Sequence, residues 1–207
     1  MFQAMIAARI DGRELNFDEM QAITMMLFMG GLDTITSQMT HIMRFLAESP
    51  RHRQALLDRP ETIPVALEEM LRRFGISFIG RAAATDFTWQ GVEFREGDVV
   101  CAGTPIAGLD PRAFPDPLVV DFDRGGEGRR VKHLGFGSGP HLCIGAYLAR
   151  TQLTVMIEEL LPRMPGLRIE PDASIENLLG STMMLAELPL RWETAPCIRD
   201  LRSSEGS

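Results

Sequence analysis

FGSGPHLCIG, residues 136–145, is a glycine-rich turn that delivers a cysteine to the mouth of a helix. Residues 144–161 follow with helical periodicity and stop at Pro162. A thiol in that place meets unpaired backbone N–H groups and the positive end of the helix dipole, which favour the thiolate and tune its donation to a metal. The glycines let the backbone approach a flat ligand closely. Spacing alone leaves two other readings open: Cys143 is a buried, inert cysteine, or the turn simply needs glycine. Zinc is a poor candidate, because His141 and Cys143 are only two residues apart and no second pair has suitable spacing.

Outward from this turn, residues 108–142 are rich in Gly and Pro, and an irregular stretch of that length usually carries function. Before it, TDFTW, VEF and VVCAG read as short strands joined by tight turns. Further upstream the periodicity is helical. Asn16 and Glu19 form a capping pair for one long helix ending at Ser49-Pro50, and a short helix follows Pro50 as far as Asp58. Another covers residues 61–74, with Ile63, Leu67, Met70, Leu71 and Phe74 as its apolar stripe and Pro64 tolerated in its first turn. Strands are expected at 167–170 and 181–193, and residues 194–207 form a polar tail.

Two patterns on these helices stand out. GGLDT, residues 30–34, puts two glycines in a helix interior, where each costs about 1 kcal/mol relative to alanine. Either two helices pack closely there or something needs the room. EEMLRR, residues 68–73, places acids and bases three and four apart, which in isolation gives solvated ion pairs worth a few tenths of a kcal/mol.

Composition sets the outer limits. The chain has 207 residues, 45% of them hydrophobic and 24% charged, enough for one sizeable core. A net charge of −7 argues against non-specific nucleic-acid binding. Cysteines at 101, 143 and 197 suggest neither a disulfide framework nor a zinc ribbon, and a reducing cytoplasm is the simplest setting. The start has no secretory-signal pattern, and the apolar run 22–32 is far short of the roughly 20 residues that cross a bilayer, so no membrane partner is expected. Cys101, Cys197, His41, His52 and His133 receive no role.

FGxGxHxCxG, matched here at every fixed position, resembles the haem-thiolate signature of the cytochrome P450 family. The resemblance implies a mainly α fold with small β-sheets, the C-terminal half of the cytochrome P450 fold, over residues 1–193. It implies haem b as cofactor, with Cys143 as the metal ligand and Phe136 shielding the sulfur. Gly137 and Gly145 would be haem contacts, and His141 would lie near a propionate. GGLDT is similar to the family's oxygen-side helix motif. That carries over Asp33 as the acid of a proton relay and Thr34 as the hydroxyl stabilising the oxygen species. E69-M70-L71-R72 resembles the family's ExxR, and Arg124 in DFDR matches its third member, so Glu69, Arg72 and Arg124 are expected to form a buried structural network.

GGLDT, EEMLRRF, GR at 80–81 and ELPLRW look most like the soluble camphor-hydroxylase branch of bacterial members. Matching onto that branch puts Arg81 at a propionate-binding position, whereas Ile79 stands where the branch has an acid. Substrate-facing positions map to Met26, Met29, Gly30, Ser77, Ile79, Ser181 and Thr182. The family's N-terminal half has no counterpart, so the chain looks like a fragment. The function implied is a monooxygenase acting with O2 on a small apolar substrate, with electrons from NAD(P)H through a ferredoxin. The alternative is a haem-binding or remnant polypeptide without turnover.

Overall fold

The computed structural model describes residues 2–193; the expected polar tail 194–207, with Cys197, lies outside the described residues. The chain opens with α1 (Phe2–Ala7) and a hairpin of β1 (Arg9–Ile10) and β2 (Arg13–Glu14). The long helix α2 (Phe17–Glu48), then α3 (Pro50–Asp58) and α4 (Ile63–Arg73), follow as expected from the sequence. Asn16 accepts from the Glu19 backbone N–H at 2.9 Å while the Glu19 carboxylate accepts from the Asn16 N–H at 2.9 Å, so the capping box is complete.

Four strands come next: β3 (Phe78–Ala82), β4 (Phe87–Trp89), β5 (Val92–Phe94) and β6 (Val99–Gly103). They form two separate antiparallel pairs, β3 with β6 and β4 with β5, rather than one small sheet. After α5 (Thr104–Gly108), regular structure is absent until a single 3-10 turn at Gly139–His141. Helix α6 (Ala146–Leu160) starts two residues later than the periodicity suggests, with Gly145 at its N-cap. The C-terminal part holds β7 (Arg168–Ile169), β8 (Asn177–Leu178), β9 (Met184–Leu185) and β10 (Leu190–Arg191). The continuous strand expected at 181–193 is therefore two short strands. Its Glu187-Leu188-Pro189 stretch breaks the ladder, and Pro189 supplies only its carbonyl, to Glu170 N–H at 3.0 Å.

One core unites α2, α3, α4 and α6, with Ile42, Leu46, Leu56, Ile63, Leu67, Met70, Leu153 and Ile157 all nearly inaccessible. Each such side chain contributes about 2 kcal/mol by leaving water. Phe74 is only partly buried and packs at a tilt of 42° against Phe45, with ring centroids 5.1 Å apart. Burial on α2 begins at Ser37, so the C-terminal half of that helix is core. Its N-terminal half presents Met25, Met26, Phe28, Met29 and Leu32 to solvent. His41 sits within the core with its Nε2 unpartnered among the described residues, and burial lowers its pKa.

Candidate functional site

The turn at 136–145 closes on itself. Cys143 N–H donates to the Phe136 carbonyl at 2.9 Å, and the Cys143 carbonyl accepts from Ala146 N–H at 3.2 Å, tying the cysteine to the first residue of α6. Gly137 and Gly139 adopt φ of +72° and +68°, conformations that a side chain would resist, so glycine is needed at these corners. Cys143 is a free, exposed thiol rather than a buried inert one.

A cleft of about 300 Å³ separates this turn from α2. Gly30, Gly31 and Thr34 line one side, and Phe136, Gly137, Cys143 and Gly145 the other. A Cβ added to Gly30 or Gly31 would meet nothing within 4 Å, so these glycines open onto the cleft and do not serve close helix packing. The Thr34 hydroxyl donates to the Gly30 carbonyl one turn back at 2.5 Å, a bond that bends helices and fixes the oxygen's position at the cleft wall. Asp33 lies beside it on the exposed face of α2, outside the lining.

A second cavity of about 220 Å³ shares Ile79, Gly137 and His141 with the first and is bordered by Arg81. Of the other sequence-derived pocket residues, Ser77 and Ile79 line the main cleft. Ser181 and Thr182 lie next to it in the backbone: Ser77 bridges Thr182, and the Ser181 carbonyl accepts from Phe78 N–H at 2.9 Å. Met26 and Met29 are exposed at 62% and 60% and are not part of the lining.

Beneath the turn, the Glu69 carboxylate gathers Arg72 Nε at 2.7 Å, Arg72 Nη2 at 2.8 Å, Arg124 Nε at 2.9 Å and Asp121 N–H at 3.0 Å. Arg72 also donates to the Gly108 and Pro117 carbonyls at 2.5 and 2.9 Å. The irregular segment 108–124 is thereby fastened to α4. Isolated solvated pairs are not what EEMLRR builds: Glu68 points elsewhere, and Arg73 donates to the Leu118 carbonyl at 3.0 Å.

Glu68 was missed in the sequence. Its buried carboxylate accepts from His133 Nε2 at 2.9 Å and from Arg150 Nε and Nη2 at 2.6 and 3.0 Å. Burial pushes its pKa upward, but the hydrogen bonds from His133 and Arg150 outweigh that and hold it at about 2. His133, given no role above, accepts Gly135 N–H on Nδ1 at 2.9 Å, so Nε2 carries the proton. The only hint in the sequence was a second acid adjoining Glu69.

A sequence profile of the family described as Cytochrome P450 matches residues 61–189, which include the Glu69 network, strands β3 to β9 and the Cys143 turn. This chain belongs to the cytochrome P450 family. It is 34% identical over 90% of its length to a probable cytochrome P450 127A1 of Sinorhizobium fredii, covering 44% of that protein. It is 38% identical over 93% of its length to the mycinamicin IV hydroxylase/epoxidase of Micromonospora griseorubida, covering 49% of it. The crystal structure of cytochrome P450 CYP101C1 superposes with a TM-score of 0.85 at 33% identity, over 91% of this chain and 48% of that one. The P450 chain thus spans about half the length of the relatives it matches.

Family membership implies a haem bound through a cysteine thiolate, and the residues present fit one. The cleft walls are mainly glycine and apolar side chains (Leu71, Ile76, Ile79, Leu148, Leu153), with Thr34, Gln38, Ser77 and Gln152 among them; a free thiol stands in one wall, and Arg81 and His141 border the adjoining cavity, where acidic edges would be met. No helix among the described residues is long and apolar enough to cross a membrane.

Proposed function

We propose that this P450 chain carries the thiolate, proton-delivery and part of the substrate-binding machinery of a monooxygenase that transfers one oxygen atom of O2 to a small apolar organic molecule. The observation that supports it most directly is the single cleft shared by Gly30, Gly31 and Thr34 of α2 and Cys143 of the opposite turn. Haem b, held by the Cys143 thiolate, would supply the activation of O2.

Each residue then has a task. Cys143 is the metal ligand, held by its N–H bond to Phe136, while Gly137 and Gly145 leave room for the flat ring. Arg81 and His141 would pair with its propionates. Thr34 presents its hydroxyl oxygen to the cleft, and Asp33, on the solvent side of α2, passes protons inward without opening the site to bulk water. The balance requires two protons and two electrons per O2, one oxygen going to substrate and the other to water. Gly30, Ser77 and Ile79 border the substrate space, with Ser181 and Thr182 behind Ser77; Met26 and Met29 would join only against further polypeptide. Electrons would come from NAD(P)H through a ferredoxin-type iron–sulfur protein, in the cytoplasm. The hydroxylase/epoxidase and N-oxygenase names carried by two relatives support the reaction class.

The test is the carbon-monoxide difference spectrum of the reduced, haem-loaded protein. Cys143→His is expected to keep some haem and lose the red-shifted thiolate Soret band, whereas Cys101→Ser leaves it in place. A thiolate band that survives Cys143→His overturns the assignment.

A further inference from the structure

Two neighbouring acids on α4, Glu68 and Glu69, are both almost fully buried, yet they bind different parts of the chain. Glu69 holds the segment 108–124. Glu68 holds the approach to Cys143, and it does so through two arms.

In the first arm, His133 donates from Nε2 to Glu68 and accepts Gly135 N–H on Nδ1, so one imidazole locks the backbone just before Phe136. In the second, Arg150 makes a two-point pair with Glu68, and its guanidinium carbon lies 4.5 Å from the centre of the Phe136 ring. Both arms end on Gly135-Phe136, and the Phe136 carbonyl is the acceptor of the Cys143 N–H. Through the His133 arm, three hydrogen bonds connect one buried carboxylate to the Cys143 backbone. Planarity is what makes the arrangement specific: a fork pairing two carboxylate oxygens while stacking on a ring fixes both planes at once, as a single ammonium cannot.

We propose that Glu68, His133 and Arg150 form a positioning unit for the Cys143 turn, in which Glu68 sets the place of the Phe136 carbonyl and, through it, of the thiolate. This rests on the reading of Cys143 as the metal ligand. A donor atom gains its function from such outer partners, because a ligand set that is slightly loose loses both affinity and electronic tuning. Arg150 also places a permanent positive charge in the electrostatic neighbourhood of Cys143.

The experiment compares Glu68→Gln, His133→Phe, Arg150→Met and Arg150→Lys with the parent by amide hydrogen exchange and, after haem loading, by the carbon-monoxide spectrum. Exchange at 133–143 is expected to quicken about tenfold in the first three, the effect of losing a hydrogen bond to a charged group. Exchange at 115–124, held by Glu69, should stay as in the parent, and part of the thiolate band should move to shorter wavelength. Arg150→Lys, which keeps the charge, should recover part of the band and fold even where Arg150→Met does not. Exchange at 133–143 that stays at the parent rate, or an equal rise at 115–124, would overturn the proposal. A parent that lacks the thiolate band altogether would sink the ligand assignment instead, with the exchange pattern still deciding the positioning.

Discussion

Arg72 and Glu69 meet in a two-point pair, Nε to Oε2 at 2.7 Å and Nη2 to Oε1 at 2.8 Å, with side chains 0% and 1% exposed. Removing one partner strands the other away from water, at a cost of about 3–5 kcal/mol against a total stability of roughly 5–15 kcal/mol for a domain. Glu69→Gln and Arg72→Met are therefore expected to lower the urea midpoint steeply. Arg44→Met, which breaks an exposed pair with Glu48, should leave that midpoint within a few tenths molar of the parent.

Glu68 gives a pH signature. Its pKa is held at about 2, below the ordinary value of 4.5, so its stabilising contribution is complete above about pH 4.5 and lost as pH falls towards 2. The stability difference between the parent and Glu68→Gln should be constant from pH 5 to 7 and shrink between pH 4.5 and 2. Urea titrations at several pH values measure it; a difference that holds its full size at pH 2.5 would mean that the carboxylate charge is not what matters.

For proton delivery, Thr34→Ala is expected to retain substrate binding and oxygen consumption while diverting electrons to peroxide. Asp33→Asn should slow turnover by removing the ionisable group. Product formed per NAD(P)H consumed is the decisive quantity, and two variants as tightly coupled as the parent would exclude the relay.

Electron delivery depends on charge. If the electron donor is a ferredoxin that is itself acidic, a net charge of −7 requires a local basic patch for docking, and Arg129, Arg130 and Lys132 are exposed in the segment leading to the Cys143 turn. Arg130 lies 4.0 Å from Glu68, so the cleaner reversal is Arg129→Glu with Lys132→Glu. Slower association and a flatter salt dependence are expected in stopped-flow reduction, with unchanged haem content.

The elements that the sequence made readable are those whose signals are local. Asn16 and Glu19 cap α2 three residues apart, Pro162 marks the end of α6 within two residues, and glycine at 137 answers a backbone angle. The β1–β2 hairpin carries an equally local signal, the Asp11-Gly12 pair, and both residues adopt positive φ in the turn. Glu68 was not legible, because its partners lie 65 and 82 residues away and nothing in EEMLRR tells which acid faces which loop. Arg124 could be found only through family resemblance. The non-lining positions of Met26 and Met29 depend on α2 entering the core only at Ser37, which periodicity does not encode.

The reach of those two carboxylates also orders the folding reaction. Arg124 closes a loop of 55 residues onto Glu69, and Arg150 one of 82 onto Glu68, whereas α2 and α3 are neighbours in the chain and pack on each other without such closure. Loop-closure entropy must be met before either ion pair returns anything, so both pairs are expected to form late in folding. Weakening Glu68 or Glu69 should accordingly speed unfolding while leaving the refolding rate almost untouched.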